Sequence, residues 1–148
     1  MTALAELKRQ GLIGALGVSN VSPKQLAEAE TITEIVCVQN YYNVAHREDD
    51  GFIDSLAARG IAYVPFFPLG GFTPLQSSVL DATAAELGAT PLQIALAWLL
   101  QRSANMLLIP GTSSLTHLAE NLKAAEMELS VETLAELDGI AEKASRQG

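Results

Sequence analysis

Apolar residues along this chain fall into short runs separated by stretches of helical spacing. The runs are Ile13–Val18, Ile35–Val38, Ile61–Phe67 and Met106–Ile109. Their brevity and their β-branched content predict four buried strands. Between them, apolar positions recur at three- and four-residue steps and predict helices. Thr2–Gln10 has Leu4 and Leu7 one turn apart and Gly11 to close it. Ser22-Pro23-Lys24-Gln25 and Thr90-Pro91-Leu92-Gln93 repeat one start signal. A hydroxyl caps, proline takes the first helical position and glutamine reaches back to the cap. These starts predict helices fading near Thr31 and at Arg102. Others are predicted over 51–59, 78–87, 115–124 and 131–144, with Gly60 and Gly88 as stops. The 91–102 helix is apolar over most of its circumference, so burial on two sides is expected. Pro65 inside the third run predicts an irregular strand end. Residues 40–50 and 68–74 read as loops.

Apolar strands alternating with helices predict an α/β protein: a parallel sheet with helices covering its faces. An open doubly wound sheet and part of a (β/α) barrel both fit this pattern. At 148 residues, 49% hydrophobic and 18% charged, the chain has the composition of one folded domain. A net charge of -8 argues against nucleic acid but leaves anionic ligands open, because backbone N–H groups bind phosphate without a basic surface. The single cysteine, Cys37, rules out a disulfide framework and multi-cysteine zinc sites, and no metal site is expected. No apolar stretch nears the roughly 20 residues that span a bilayer. Met1 leads straight into an amphipathic run with no signal-peptide pattern, so a cytoplasmic protein is expected.

In parallel α/β folds, ligands sit beyond the carboxyl ends of the strands. Those ends read Gly17-Val18-Ser19-Asn20, Gln39-Asn40-Tyr41-Tyr42-Asn43, Phe66-Phe67-Pro68-Leu69-Gly70-Gly71 and Pro110-Gly111-Thr112-Ser113-Ser114. All four carry groups that hydrogen-bond or stack. None carries an obvious general base, nucleophile or metal cluster.

The segments GVSN (17–20), VQNYYN (38–43), VPFFPLGG (64–71), TPLQIALAWLLQR (90–102) and IPGTSSLTHLAENL (109–122), in this order, resemble the aldo-keto reductase family. The resemblance covers nearly the whole chain and matches the second half of that family's (β/α)8 barrel. It implies a parallel half-barrel of about four strands, forming one domain over 1–148 that lacks the family's N-terminal half. Ser19, Asn20 and Gln39 match the residues that hydrogen-bond a nicotinamide carboxamide, a task suited to side chains that donate and accept. Phe66 matches the aromatic that stacks on the nicotinamide ring. Leu69, Gly70 and Gly71 match the loop over the pyrophosphate. Gly111, Thr112, Ser113 and Ser114 match the site of the adenosine 2′-phosphate, and His117, Glu120 and Asn121 match residues near the adenine. The implied cofactor is NADP(H), with NAD(H) as the alternative. Gly111 stands where the family commonly has lysine and His117 where it has arginine, so fixed positive charge is missing. The family's catalytic Asp, Tyr, Lys and His lie in the other half of the barrel. No catalytic residue is therefore assigned, and the chain alone is expected to be inactive.

Each assignment has a plainer alternative. Ser19-Asn20 and Gln39 could simply end strands, Gly70-Gly71 could be a tight turn, and Ser113-Ser114 could cap a helix. Phe67 and Trp98 are expected in the core, Cys37 as a small buried hydrophobe, and His46 and His117 on the surface. Two open sheet edges and an apolar interior also suit a non-catalytic module that pairs with its own copy.

Overall fold

The computed structural model describes residues 1–70 and 77–145. Its elements run α1 (Thr2–Arg9), β1 (Gly17–Ser19), α2 (Pro23–Glu30), β2 (Cys37–Tyr41), α3 (Asp50–Ala58), β3 (Ala62–Phe66), α4 (Ser78–Leu87), α5 (Pro91–Arg102), α6 (Leu115–Lys123) and α7 (Val131–Ser145). The three strands form one parallel sheet in the order β1-β2-β3.

Local chemistry explains the helix ends. Ser22 and Thr90 each accept from the backbone of a glutamine three residues on, and that glutamine bonds back to the cap. Both capping boxes are reciprocal and satisfy donors that helix starts leave open. Gly88 closes α4 in the left-handed region at φ 61°. On α5, Ile94 through Leu99 are all buried. The helix packs against α4 and α6, which explains an apolar circumference.

The strands lie later than the apolar runs. The first two runs place residues 13–16 and 35–36 in strands, yet pairing starts at Gly17 and Cys37 and extends to Ser19 and Tyr41. The fourth strand is corrected more sharply, being reduced to a single parallel bridge between Tyr63 and Met106. Tyr63 N–H donates to Asn105 O at 2.9 Å, and Leu107 N–H donates to Tyr63 O at 2.9 Å. In a strand, the N–H and C=O of one residue face the same neighbour. The next β3 residue to face segment 105–107 is Pro65, which has no N–H to continue the ladder. Pro65 does not distort β3, where it pairs in register with Asn40.

Strand alternation separates two faces. Val38 and Tyr63 are fully buried against the helices. The opposite face carries three rows set by register: Gly17, Cys37 and Ala62; Ser19, Gln39 and Val64; then Tyr41 and Phe66. Most of this face is open, with Gly17 and Ser19 exposed and Cys37, Gln39, Ala62 and Phe66 half-buried, while Val64 is buried. Cys37 is accordingly half-buried rather than a core residue. A Cβ on Gly17 would stand 2.4 Å from Cys37 Sγ, so glycine is what lets β1 close on β2.

Candidate functional site

The carboxyl ends of all three strands emerge on one rim, and segment 106–110 runs out beside β3 in the same direction. Ser19 and Gln39 are direct neighbours across the β1–β2 pairing. Phe66 ends β3 opposite Tyr41. Asn20 follows Ser19 and holds φ 55°, a left-handed conformation that asparagine tolerates better than most residues. Its N–H donates to Gln39 O at 2.9 Å. Among the described residues, no hydrogen bond engages the side chains of Ser19, Asn20 or Gln39. Three adjacent side chains thus keep open donor and acceptor capacity, which fits an amide-bearing ligand.

The aromatic groups form a stack. Tyr41 lies 5.9 Å from Phe66 at an interplanar angle of 15°, and 4.2 Å from His46 at 30°. Phe67 meets Phe66 edge-on at 5.5 Å. Two expectations are corrected here. Phe67 is 43% exposed, not core, because its φ of 53° turns the chain off the sheet. Asn43 Nδ2 donates to Phe67 O and braces that turn. His46 is half-buried against Tyr41, with Glu48 3.8 Å away, instead of freely solvated.

Leu69 and Gly70 continue the turn, with Gly70 at φ 89° donating its N–H to Phe67 O. Gly71 lies outside the described residues. Gly111, Thr112 and Ser113 are exposed. Thr112 Oγ1 accepts from Ser114 N–H at 3.1 Å, and Ser114 Oγ accepts from His117 N–H to cap α6. Ser114 therefore does act as a helix cap. The N–H groups of Leu115 and Thr116 remain at that helix start, where the dipole favours an anion. Residues 107–122 contain no lysine or arginine. His117 is exposed, while Glu120 and Asn121 are half-buried further along α6. Glu120 O accepts from Gln93 Nε2, which ties α6 to α5.

A polar network beneath the rim had no counterpart in the sequence reading. Tyr42 O–H donates to Asp50 Oδ1 at 2.5 Å, and Tyr63 O–H donates to Asp49 Oδ2 at 2.8 Å. Burial, reinforced by these carboxylates, pushes both phenols well above their ordinary range. They are fixed neutral donors to structure, ill-suited to giving a proton to a substrate. Asp50 also pairs with Arg47 at 2.8 Å and Arg102 at 3.3 Å, and Arg47 pairs with Asp138 at 2.6 Å. Burial raises the Asp50 carboxyl, but the bonds from Tyr42 and Arg47 and the two guanidinium charges outweigh it and hold the group below its ordinary value. Arg47 and Asp50 are only three positions apart, but separations of 52 and 91 residues hide the Asp50–Arg102 and Arg47–Asp138 pairs from any local pattern. Among the described residues, no cluster of three or more His, Cys, Asp or Glu is placed to hold a metal, and no helix is long and apolar enough to cross a membrane.

The model of the aldo/keto reductase family matches residues 1–142. The chain belongs to the aldo/keto reductase family. It is 67% identical over 141 residues to pyridoxine 4-dehydrogenase of Escherichia coli K12, covering 95% of this chain and 49% of that protein. A thermostable aldo-keto reductase solved with the inhibitor epalrestat superposes at a TM-score of 0.85 and 39% identity, over 93% of this chain and 52% of its own. An aldo-keto reductase solved with NADPH shares the fold, at a TM-score of 0.78 and 24% identity, over 93% of this chain and 45% of its own. The chain thus spans about half the length of the aldo-keto reductases it matches, and its open three-stranded sheet corresponds to part of their barrel.

Proposed function

We propose that this chain is the cofactor-holding half of an NAD(P)H-dependent aldo-keto reductase. The observation that carries this reading is the Ser19–Gln39 row, with open hydrogen-bonding capacity beside Asn20 and the Phe66 ring. Ser19, Asn20 and Gln39 would hold the carboxamide and Phe66 would lie against the nicotinamide. Leu69, Gly70 and Gly71 would follow the pyrophosphate. Gly111 to Ser114 and the start of α6 would receive the 2′-phosphate, with His117, Glu120 and Asn121 toward the adenine. The cofactor, when bound, supplies the hydride; the protein supplies position. The 2′-phosphate would rest on N–H groups and hydroxyls rather than on a lysine or arginine of 107–122, so NADP(H) is preferred over NAD(H) only modestly. The whole protein's substrate, following the 67% identical relative, would be a pyridoxine-type alcohol and its aldehyde. The chain alone would not turn over, since none of its residues matches the family's catalytic Asp, Tyr, Lys and His, and Tyr42 and Tyr63 are committed to Asp50 and Asp49.

Titration with NADPH and NADH, followed by the reduced nicotinamide's own fluorescence, tests this. Both should bind, and Gln39→Ala should weaken NADPH binding by roughly tenfold, the cost of about one hydrogen bond to the amide. Absence of binding by either dinucleotide, or an unchanged affinity in Gln39→Ala, rejects the reading.

The open part of this sheet face favours a second reading, in which two copies of the chain associate. Leu107 and Ile109, 57% and 48% exposed, fall by alternation on the same side as Val64. An apolar face between unpaired strand edges is a surface that a second copy of the same sheet can cover. Light scattering during size-exclusion chromatography should report twice the chain mass, and Leu107→Glu should return it to the single-chain value. A monomeric wild type excludes this association.

A further inference from the structure

Asn20 is the one of the three residues proposed for the carboxamide whose backbone lies in the left-handed region, and it sits past the end of β1. Something must hold it there. On one side the bond from Asn20 N–H to Gln39 O does so. On the other side the structure supplies a side chain in place of a strand. Asn40 Oδ1 accepts from Val21 N–H at 3.0 Å, and Asn40 Nδ2 donates to Val21 O at 2.8 Å. One carboxamide thus grips both hydrogen-bonding groups of the residue that follows Asn20, as a neighbouring strand would.

The grip has only one orientation. The second proton of Asn40 Nδ2 goes to Asp49 Oδ2 at 2.8 Å, and that oxygen also accepts from Tyr63 O–H at 2.8 Å. A flipped amide would set its oxygen against two acceptors, Val21 O and the Asp49 carboxylate, and its NH2 against the Val21 N–H. Asn40 is only 7% exposed, so water offers a poor substitute. The bonds run from Tyr63 on β3, through Asp49 ahead of α3 and Asn40 on β2, to the turn that leaves β1. They couple the three strand ends to the conformation of Asn20.

Resting on the cofactor reading above, we propose that Asn40 is a positioning residue: it sets Asn20 for the nicotinamide carboxamide without touching the dinucleotide. The test compares NADPH with 2′-phospho-ADP-ribose, which keeps the phosphates and adenosine but lacks the nicotinamide. In Asn40→Ala, NADPH affinity should fall about tenfold, the equivalent of one misplaced hydrogen-bonding group, while 2′-phospho-ADP-ribose binds as before. Amide hydrogen exchange at Val21 should accelerate by more than the accompanying fall in the urea midpoint accounts for. A merely structural role would weaken both ligands together. Parallel losses, or no loss of NADPH affinity while wild type binds normally, overturn the proposal and leave the cofactor reading standing. Failure of wild type to bind either ligand removes both. Should Asn40→Ala not fold, Asp49→Ala removes the outer anchor of the same amide. It should give the same selective loss at about threefold, and equal or absent losses there overturn the proposal as well.

Discussion

Trp98→Ala is expected to destabilise the chain by about 3–5 kcal/mol, the range for deleting a large buried aromatic. Against the roughly 5–15 kcal/mol that typically separates folded from unfolded domains, this is enough to leave a large unfolded fraction at modest temperature. The reason is the convergence of three side chains on one indole. Trp98 is 1% exposed on α5 and stacks on Tyr42 with ring centroids 5.9 Å apart. Arg47 lies over its ring at 5.2 Å, and its Nε1–H donates to Asp138 on α7 at 3.0 Å. Alanine would remove the ring and leave Asp138 with one bond fewer. Trp98→Phe keeps most of the volume and loses the N–H, so its cost should be about 1.5–3 kcal/mol, that of a hydrogen bond to a charged group. Urea unfolding followed by circular dichroism measures both. A loss under about 1 kcal/mol in Trp98→Ala would mean that the α5–α7 junction is not cooperative with the rest.

The second large effect is expected at Asp50, which receives Tyr42, Arg47 and Arg102 at once. Asp50→Ala leaves the Tyr42 phenol without its acceptor and takes one carboxylate from each of two guanidinium groups, Arg47 keeping Asp138 and Arg102 keeping Asp54. Breaking a fully buried pair costs ~3–5 kcal/mol, but the Asp50 side chain is 37% exposed and solvent screens part of the loss, so about 2–3 kcal/mol is expected. The pH dependence follows from the lowered carboxyl of Asp50. A group held lower in the folded state than in the unfolded state contributes stability above its unfolded value, about 3.9 for aspartate. That contribution is lost as pH falls through the lower folded value. Wild-type stability should therefore drop below about pH 4, and Asp50→Asn should show a shallower drop over the same window, read from urea midpoints. Equal slopes in the two proteins would place the acid sensitivity elsewhere.

Much of this was legible because it is local. A capping box needs only a hydroxyl, a proline and a glutamine within four positions, and both of those starts fall where the sequence put them. The α4 and α5 boundaries match for the same reason. Rim residues were legible through the resemblance, since their segments end strands of a known fold; register then brought Ser19, Gln39 and Phe66 onto one face. Strand extent was not legible. Apolar character reports burial, whereas a strand requires a neighbour able to complete the ladder, and Pro65 denies that to segment 106–109. His46 and Phe67 were misread because ring stacking and a positive φ depend on the chain's path after β2 and β3.

Amino-acid order alone thus settled the family, the helix ends and which residues reach the rim, because capping, turn chemistry and motif spacing act over a few positions. Long-range folding decided the rest: the open three-stranded sheet, the Asp50 and Asp138 ion pairs, and the Asn40 grip on Val21. Apart from the Arg47–Asp50 pair, those features join residues 19 to 91 positions apart, and their energies exist only once burial lowers the competition from water.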